Sequence, residues 1–395
     1  MRITIVNGFF LPVPPISGGA TEKSWYELAR QFVALGHEVT FISRRWPGMS
    51  DDETKQGIRH LRLSGFDHRR RLWLNLLLDF IWSCRVHRAL PEADIVVVNA
   101  LALPVWLGGM KPAAGKVVLL AGRMPKGQYR RYRQINRIYA PSHPVRERIL
   151  RENPRLAPLI RISGYPINWL LLNQSGNTAT LFPADVIAET VAIGYIGRLH
   201  KEKGLRLLTA AISLIGETPD VPPWRVLLCG PSAVAQGGSG EEFRTEIHER
   251  IAKVLPPHRF QILDPEFDEK SLASLYRRFD IFCYPSLAAE GETFGVAVAE
   301  AMAAGVVPVV SRLPCFADFV EDGVNGLTFD HSSPQAARQL ADALIRLIRE
   351  TAFRHRLAIA ASTSVQRYDF RRFAKDLITD FQQLTGDAKP PTSSP

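Results

Sequence analysis

Short apolar runs alternate along the chain with longer stretches in which apolar residues recur at helical spacing. "RITIVNG" (2–8) precedes a helical pattern at about 20–36 and then "HEVTFIS" (37–43). "ADIVVVNAL" (93–101), "GKVVLLAG" (115–122) and "INRIYAPS" (135–142) continue the series. The rhythm returns with "TVAIGYIG" (190–197), "WRVLLCG" (224–230), "RFQILD" (259–264), "FDIFCYPS" (279–286) and "VVPVVSR" (306–312). Strand and helix in alternation predict parallel sheets covered by helices on both faces. Two such sets predict an α/β chain of two Rossmann-like doubly wound domains, 1–170 and 186–368. They are joined across a Gly-, Asn-, Ser-, Thr- and Pro-rich stretch at 162–185. Residues 369–385 read as a C-terminal helix packing back on the first domain, and 386–395 as a disordered tail.

Composition narrows the class. Hydrophobic residues make up 46% and charged residues 22% of the 395 residues, which suits globular domains. No apolar run reaches the roughly 18 residues a membrane span needs. "LWLNLLLDFIW" (72–82) is interrupted by Asn75 and Asp79. The four cysteines, Cys84, Cys229, Cys283 and Cys315, have no metal-like spacing and sit mostly in apolar runs, the pattern of buried thiols in a reducing cytoplasm. The net charge of +10 is unevenly placed: residues 1–175 hold 26 Lys/Arg against 12 Asp/Glu, and the rest 23 against 27. A basic first half suits a membrane surface, an acidic substrate or a nucleic acid. No zinc pattern or RNA-binding aromatic motif supports nucleic acid.

In open parallel sheets, ligands bind beyond the carboxyl ends of the strands, so the informative residues should follow the strands. Gly18 and Gly19 precede the first helix, where bare backbone and free helix amides suit an anion; a simple tight loop is the plainer reading. Arg198 and Lys203 follow the strand at 190–197, and two cations there suit a diphosphate, although a solvated basic loop would look the same. In "EGETFGVAVAEAMAAG" (290–305), Glu292 precedes a helix rich in Ala and Val, and Glu300 lies eight positions on. The amides of Thr293, Phe294 and Gly295 would open that helix toward an anion. A buried carboxylate needs donors, and sugar and ribose hydroxyls are donors. The bland alternative makes Glu292 a helix-start carboxylate and Glu300 a surface residue.

Together these segments resemble the retaining glycosyltransferases of family 4, which have the two-domain GT-B fold. The matching words are "GGATEKSWYELARQFVALGHEVTFIS" (18–43), "YIGRLHKEKGLRLLTAA" (195–211), "LASLYRRFDIFCYPS" (272–286), "EGETFGVAVAEAMAAGVVPVVS" (290–311) and "ADFVEDGVNGLTFD" (317–330). The resemblance implies that Glu292 contacts the donor sugar, Glu300 binds the ribose, and Arg198 and Lys203 neutralise the departing diphosphate. It implies that Gly19 approaches the phosphates or sugar from the other domain, and that the domains close over the donor. It assigns Glu290 no role. It implies no metal and no cofactor, with a nucleotide-diphosphate sugar as substrate. The acceptor would be a glycan, a lipid-linked molecule or an acidic small molecule, and the product a cell-surface glycan or glycolipid.

Two positions depart from the family pattern. Members often carry a histidine where this chain has Asn99, and another near Gly122 and Arg123. His143 and His37 remain, and His37 reads as a helix-end residue before a strand. Retaining members are thought to let the leaving diphosphate take the acceptor proton, so a base at these places is dispensable. The alternatives are a nucleotide-sugar 2-epimerase or phosphorylase of the same fold, or an inactive nucleotide-sugar-binding protein. The basic half suggests one more partner. Arg69, Arg70 and Arg71 lead into the apolar run at 72–82, and "KGQYRRYRQINR" (126–137) interleaves Lys126, Arg130, Arg131, Arg133 and Arg137 with Tyr129 and Tyr132. Such a surface suits peripheral contact with anionic lipid at the inner face of a membrane. The simpler expectation is that the apolar face of 72–82 packs against its own sheet.

Overall fold

The computed structural model describes residues 1–16, 19–69, 71–174 and 190–386. They form two α/β units: Met1–Pro166 with the chain from Phe370 onward, and Ile167–Asp369. In the first unit the strands are β1 (Arg2–Val6), β2 (Glu38–Arg44), β3 (Asp52–Lys55), β4 (Ile58–Leu63), β5 (Ile95–Val98), β6 (Lys116–Leu120), β7 (Arg137–Ala140) and β8 (Ile160–Ile162). Their order is β3-β4-β2-β1-β5-β6-β7-β8, parallel except where β3 runs against β4. β1 pairs with β2 on one side and β5 on the other. Strand order therefore reverses at β1/β5, the place where such sheets open a crevice.

Helices cover both faces of this sheet. α1 (Ala20–Ala34) lies on one face and α2 (Leu72–Ala89) with α3 (His143–Glu152) on the other. The last long helix, Phe370–Thr385, joins the α1 face through Phe370, Phe373, Leu377 and Phe381. It is pinned by Asp380, which accepts two bonds from Arg137 of β7 at 2.7 and 2.8 Å and one from the Tyr139 hydroxyl. Apolar positions recur along this helix three and four apart, so burying one stripe satisfies it.

The second unit holds β9 (Val191–Ile196), β10 (Trp224–Cys229), β11 (Phe260–Leu263), β12 (Ile281–Tyr284), β13 (Val307–Ser311) and β14 (Leu327–Phe329). All are parallel, in the order β11-β10-β9-β12-β13-β14. Its order reverses at β9/β12. The helices that position the site are α4 (Leu205–Glu217), α5 (Glu269–Tyr276) and α6 (Val296–Ala303). Ten strands lie where the apolar runs predict them; the β3–β4 hairpin, β8 and β14 were not anticipated. The stretch at 162–185 is only partly visible, since 175–189 lie outside the described residues. Its first part is structured: Ile167 bridges Asp369 and Trp169–Leu172 forms a helical turn within the second unit. The tail at 387–395, Gly18 and Arg70 also lie outside the described residues.

α2 overturns one expectation. Its apolar face does not pack on the sheet. Leu72, Trp73, Leu76, Leu77 and Phe80 are 73, 58, 48, 49 and 49% exposed, while Asn75, Asp79, Trp82, Ser83 and Val86 turn inward. The inward polar groups have work there. Asp79 accepts the amides of Leu101 and Ala102 at 3.2 and 2.7 Å, Asn75 exchanges bonds with the Arg69 backbone, and the Trp82 indole donates to the Asn7 carbonyl at 3.0 Å. A polar face that caps neighbouring loops is held inside by those bonds, and the remaining face turns to solvent.

Candidate functional site

The second unit gathers its chemistry at the carboxyl ends of β9 and β12. Lys203 ends a one-turn helix (Lys201–Lys203) after β9, and Glu292 lies in the turn between β12 and α6. Both side chains are 8% exposed, and the Lys203 ammonium donates to Glu292 Oε1. The same oxygen accepts the Tyr284 hydroxyl at 3.2 Å and the Ser286 hydroxyl at 3.1 Å. Lys203 also lies 5.3 Å from the centre of the Tyr284 ring. Two buried charges are tolerable only when matched and hydrogen-bonded, as these are. Burial, with Glu292 alongside, pushes the phenols of Tyr195 and Tyr284 well above the usual tyrosine range, so both remain donors at neutral pH.

The second acid stands on α6. Glu300 accepts the Tyr276 hydroxyl at 2.9 Å and is half-buried. The Tyr276 ring meets Phe282 at 5.7 Å, and Phe282 stacks on Tyr284 at 6.0 Å. An aromatic row therefore joins the two hydroxyls that hold Glu300 and Glu292. The helix begins later than the sequence suggests. Gly295 is its N-cap, with φ 92°, and a side chain there would strike the Phe316 ring. Glu292 is thus three residues upstream of the cap rather than part of the helix start, and its carboxylate meets Lys203. Phe294 is buried against Phe319 and Tyr368, so only its backbone faces the turn; Thr293 is half-buried.

Arg198 leaves β9 on the same side as Lys203 but takes other partners. It donates to Glu202 at 2.7 Å and to the Gly237 carbonyl at 3.0 Å, and its head is exposed. Its charge acts on Tyr195 and Tyr284, the same pair that borders Glu292. The two predicted cations thus flank one tyrosine stack, 5.6 Å between ring centres. Each is matched by a carboxylate.

In the first unit, Gly19 is the N-cap of α1 at φ 98°, and a side chain there would run into the Glu22 carboxylate. Burial raises the Glu22 pKa, with its own backbone bond and the Arg123 charge opposing. Asn99 follows β5 and donates to the Asn7 side chain at 3.0 Å and the Val6 carbonyl at 3.2 Å. Glu290 is exposed. Among the described residues, no group of three or more His, Cys, Asp or Glu side chains is placed to hold a metal.

Sequence reasoning missed the hydroxyls. Tyr276, Tyr284 and Ser286 orient the acids, yet each reads as ordinary apolar-run punctuation. One signal was present: a tyrosine in a buried strand run must find a partner for its hydroxyl. Glu22 and Arg123 beside Gly19 were equally hidden, since nothing in their spacing links them.

Residues 183–363 match the family described as Glycosyl transferases group 1, and residues 18–162 match Glycosyltransferase Family 4. The chain is 34% identical to a phosphatidyl-myo-inositol mannosyltransferase of Mycobacterium leprae, over 97% of this chain and 97% of that protein. It is 36% identical to a D-inositol 3-phosphate glycosyltransferase of Corynebacterium urealyticum, over 49% of this chain; that match spans 43% of the relative's own length. Among solved structures, sucrose-phosphate synthase from Thermosynechococcus elongatus superposes with a TM-score of 0.73 at 20% identity, over 98% of this chain and 100% of that one. The likeness shows the two-domain GT-B fold.

Proposed function

Since the chain belongs to the group 1 glycosyl transferases of family 4, we propose that it moves a sugar, with retention of configuration, from a nucleotide-diphosphate donor to an inositol-bearing acceptor at a membrane surface. The observation that carries the donor half is the buried Lys203–Glu292 pair at the β9/β12 reversal. Lys203 and Arg198 would stabilise charge as it develops on the departing diphosphate, a contribution worth about 3–4 kcal/mol per preorganised donor. Among the described residues, all three bonds to Glu292 converge on Oε1; Oε2 is assigned to the sugar hydroxyls. Glu300, held by Tyr276, takes the ribose. The backbone of Thr293, Phe294 and Gly295 faces the phosphates. The reaction needs no metal and no cofactor. The diphosphate oxygen takes the acceptor proton, so Asn99 need only position a hydroxyl.

The acceptor half rests on the relatives' names and on α2. No helix among the described residues is long and apolar enough to cross a membrane. α2 instead presents Leu72, Trp73, Leu76, Leu77 and Phe80 outward, with Arg69 and Arg71 exposed at its start. An apolar face flanked by arginines fits the boundary of an anionic leaflet, each basic residue adding about 1 kcal/mol. All four cysteines are free, as the cytoplasmic side requires. The second reading is a soluble inositol phosphate acceptor, favoured by the other relative.

The test supplies the purified chain with a panel of nucleotide sugars, the mannose donors first. Acceptors are phosphatidylinositol in vesicles or a soluble inositol phosphate, and the anomeric configuration of the product is read by NMR. Transfer to lipid with retention is the expected result. Transfer to the soluble acceptor alone selects the second reading, and inversion or no transfer to either acceptor overturns the proposal.

A further inference from the structure

A second basic site lies in the first unit, away from the crevice end of the sheet. Lys126, Arg130, Arg148 and Arg151 surround one cavity of about 430 Å³, together with Gly127 and Glu152. The cations come from two elements: the first two from the segment after β6, the others from the last turns of α3. α3 starts just beyond the carboxyl end of β7 and runs back along the sheet for about 15 Å, at 1.5 Å per residue. Its last residues therefore lie toward the amino ends of the strands, opposite to where an open parallel sheet takes its substrate.

The carboxylate in this cavity is already committed. Glu152 accepts the Gly127 amide at 2.6 Å through one oxygen and the Tyr129 amide at 3.1 Å through the other. It fixes the loop that carries Lys126 and Arg130. Arg148 is itself tethered, its Nε donating to the Pro125 carbonyl at 3.4 Å. The acid facing Arg151, Glu147, stands 3.9 Å away with both groups exposed, too loose a contact to neutralise it. Cations at a helix C-terminus answer the helix dipole, which explains Arg148 and Arg151 taken alone. It does not explain why Lys126 and Arg130, from another element, face the same space. Four cations against the one Glu152 carboxylate leave an excess of positive charge around the cavity, and a further anion relieves it.

We propose that this pocket is an anion site for a phosphate group carried on a polar headgroup, distinct from the donor site of the second unit. Planar guanidinium groups with an ammonium fit the oxygens of a phosphate monoester or diester, which accept paired hydrogen bonds. A lipid headgroup and a free phosphate share this chemistry. The loop's Tyr129 and Tyr132 belong to the same core cluster as Trp82 and Val86 of α2, so the pocket and the apolar α2 face are borne by one face of the sheet. The site does not depend on the chemistry of Lys203 or Glu292.

Hydrogen–deuterium exchange of the full chain tests it, because the readout is local. Inorganic phosphate is titrated as the soluble probe. Phosphatidylcholine vesicles with and without phosphatidylinositol are the membrane probes. The expected result is protection of 126–131 and 147–152 by phosphate in the parent. In Arg148→Ala/Arg151→Ala the midpoint should move at least about tenfold higher, the scale of losing charge-assisted bonds. Arg148→Lys/Arg151→Lys, which keeps the charge, should recover part of the protection, and unchanged melting temperatures show that the variants fold. Greater protection by phosphatidylinositol vesicles than by phosphatidylcholine vesicles identifies the lipid source; protection by phosphate alone identifies the soluble one. No protection by either probe, or protection that persists in the double alanine variant, overturns the site. Sugar transfer assayed separately keeps a failure here distinct from a failure of the donor reading.

Discussion

Both sheets reverse strand order at a central pair, β1/β5 in the first unit and β9/β12 in the second, and the residues beyond the two reversals differ in kind. The second places a buried ammonium against a buried carboxylate and adds two hydroxyls to the same carboxylate oxygen. The first places one amide against another: Asn99 donates to Asn7, and the Asn7 Nδ2 is buried without a hydrogen-bond partner among the described residues. A matched charge pair is worth little net stability but fails badly when one member is removed. An amide pair fails gently, since no charge is stranded. The second reversal is therefore built around one charge pattern, which fits the diphosphate sugar proposed for it. The Asn7–Asn99 pair beyond the first carries no charge, which fits the acceptor hydroxyl proposed for that unit.

The largest effects should come from breaking the charged side of this contrast. Lys203→Met strands Glu292 and should cost about 3–5 kcal/mol of stability. Turnover should fall about 100-fold or more with the loss of a charge-stabilising donor. Lys203→Met/Glu292→Gln strands no charge. Its unfolding free energy should return most of the way to the parent's while turnover stays low. Denaturant unfolding and sugar-transfer kinetics, measured on both variants, separate the two roles. A double variant that regains turnover would make the pair a structural feature only.

The same contrast recurs between two helices on opposite faces of the first sheet. The last helix buries its aromatic stripe, whereas α2 exposes its own. Phe381→Ala should cost about 3–5 kcal/mol, the range for a core phenylalanine. Leu76→Ser/Leu77→Ser should change stability by no more than about 0.5 kcal/mol per site, as for ordinary surface positions. The α2 variant should instead lose binding to anionic vesicles in a sedimentation assay. A large drop in melting temperature for the α2 variant, or unaltered sedimentation, would mean that its outward face serves the fold rather than a membrane.

That inversion shows where sequence reading succeeds and fails. Buried strands such as "IVVV" at 95–98 are legible because fully covered parallel strands leave almost no room for polar residues. Glu292, Glu300, Arg198 and Lys203 were legible as candidates because motif spacing tied them to strand ends. Their partners were not. Which hydroxyl reaches Glu292 depends on Tyr284 and Ser286 meeting it across the strand-to-helix turn, and that is tertiary information. α2 misled for a related reason. Its apolar residues suggested a core face, but Asp79 and Asn75 are needed inside to satisfy the Leu101, Ala102 and Arg69 backbone. Local hydrophobicity cannot weigh that demand.

A further expected effect, confined to acid pH, concerns a buried base in the first unit that lacks the compensation Lys203 enjoys. His60 on β4 is fully buried, its ring 6.3 Å from Phe41 and 6.1 Å from Tyr26, and both ring nitrogens are without hydrogen-bond partners among the described residues. Burial, then the Arg62 charge, lowers its pKa from 6.5 to about 4; Lys55 acts in the same direction and Glu53 opposes. Between those two values the unfolded chain binds a proton that the folded chain refuses. Stability linked to His60 is thus fully present above pH 6.5 and is lost as the pH falls toward 4. The whole window is worth at most about 3 kcal/mol. His60→Leu removes the titration, so the stability difference between variant and parent should shift toward the variant by up to that amount across the window. Urea unfolding at matched pH values reads this directly, because carboxylates common to both proteins cancel. Parallel curves for the two proteins would show that the imidazole takes up its proton in the folded state as readily as in the unfolded one.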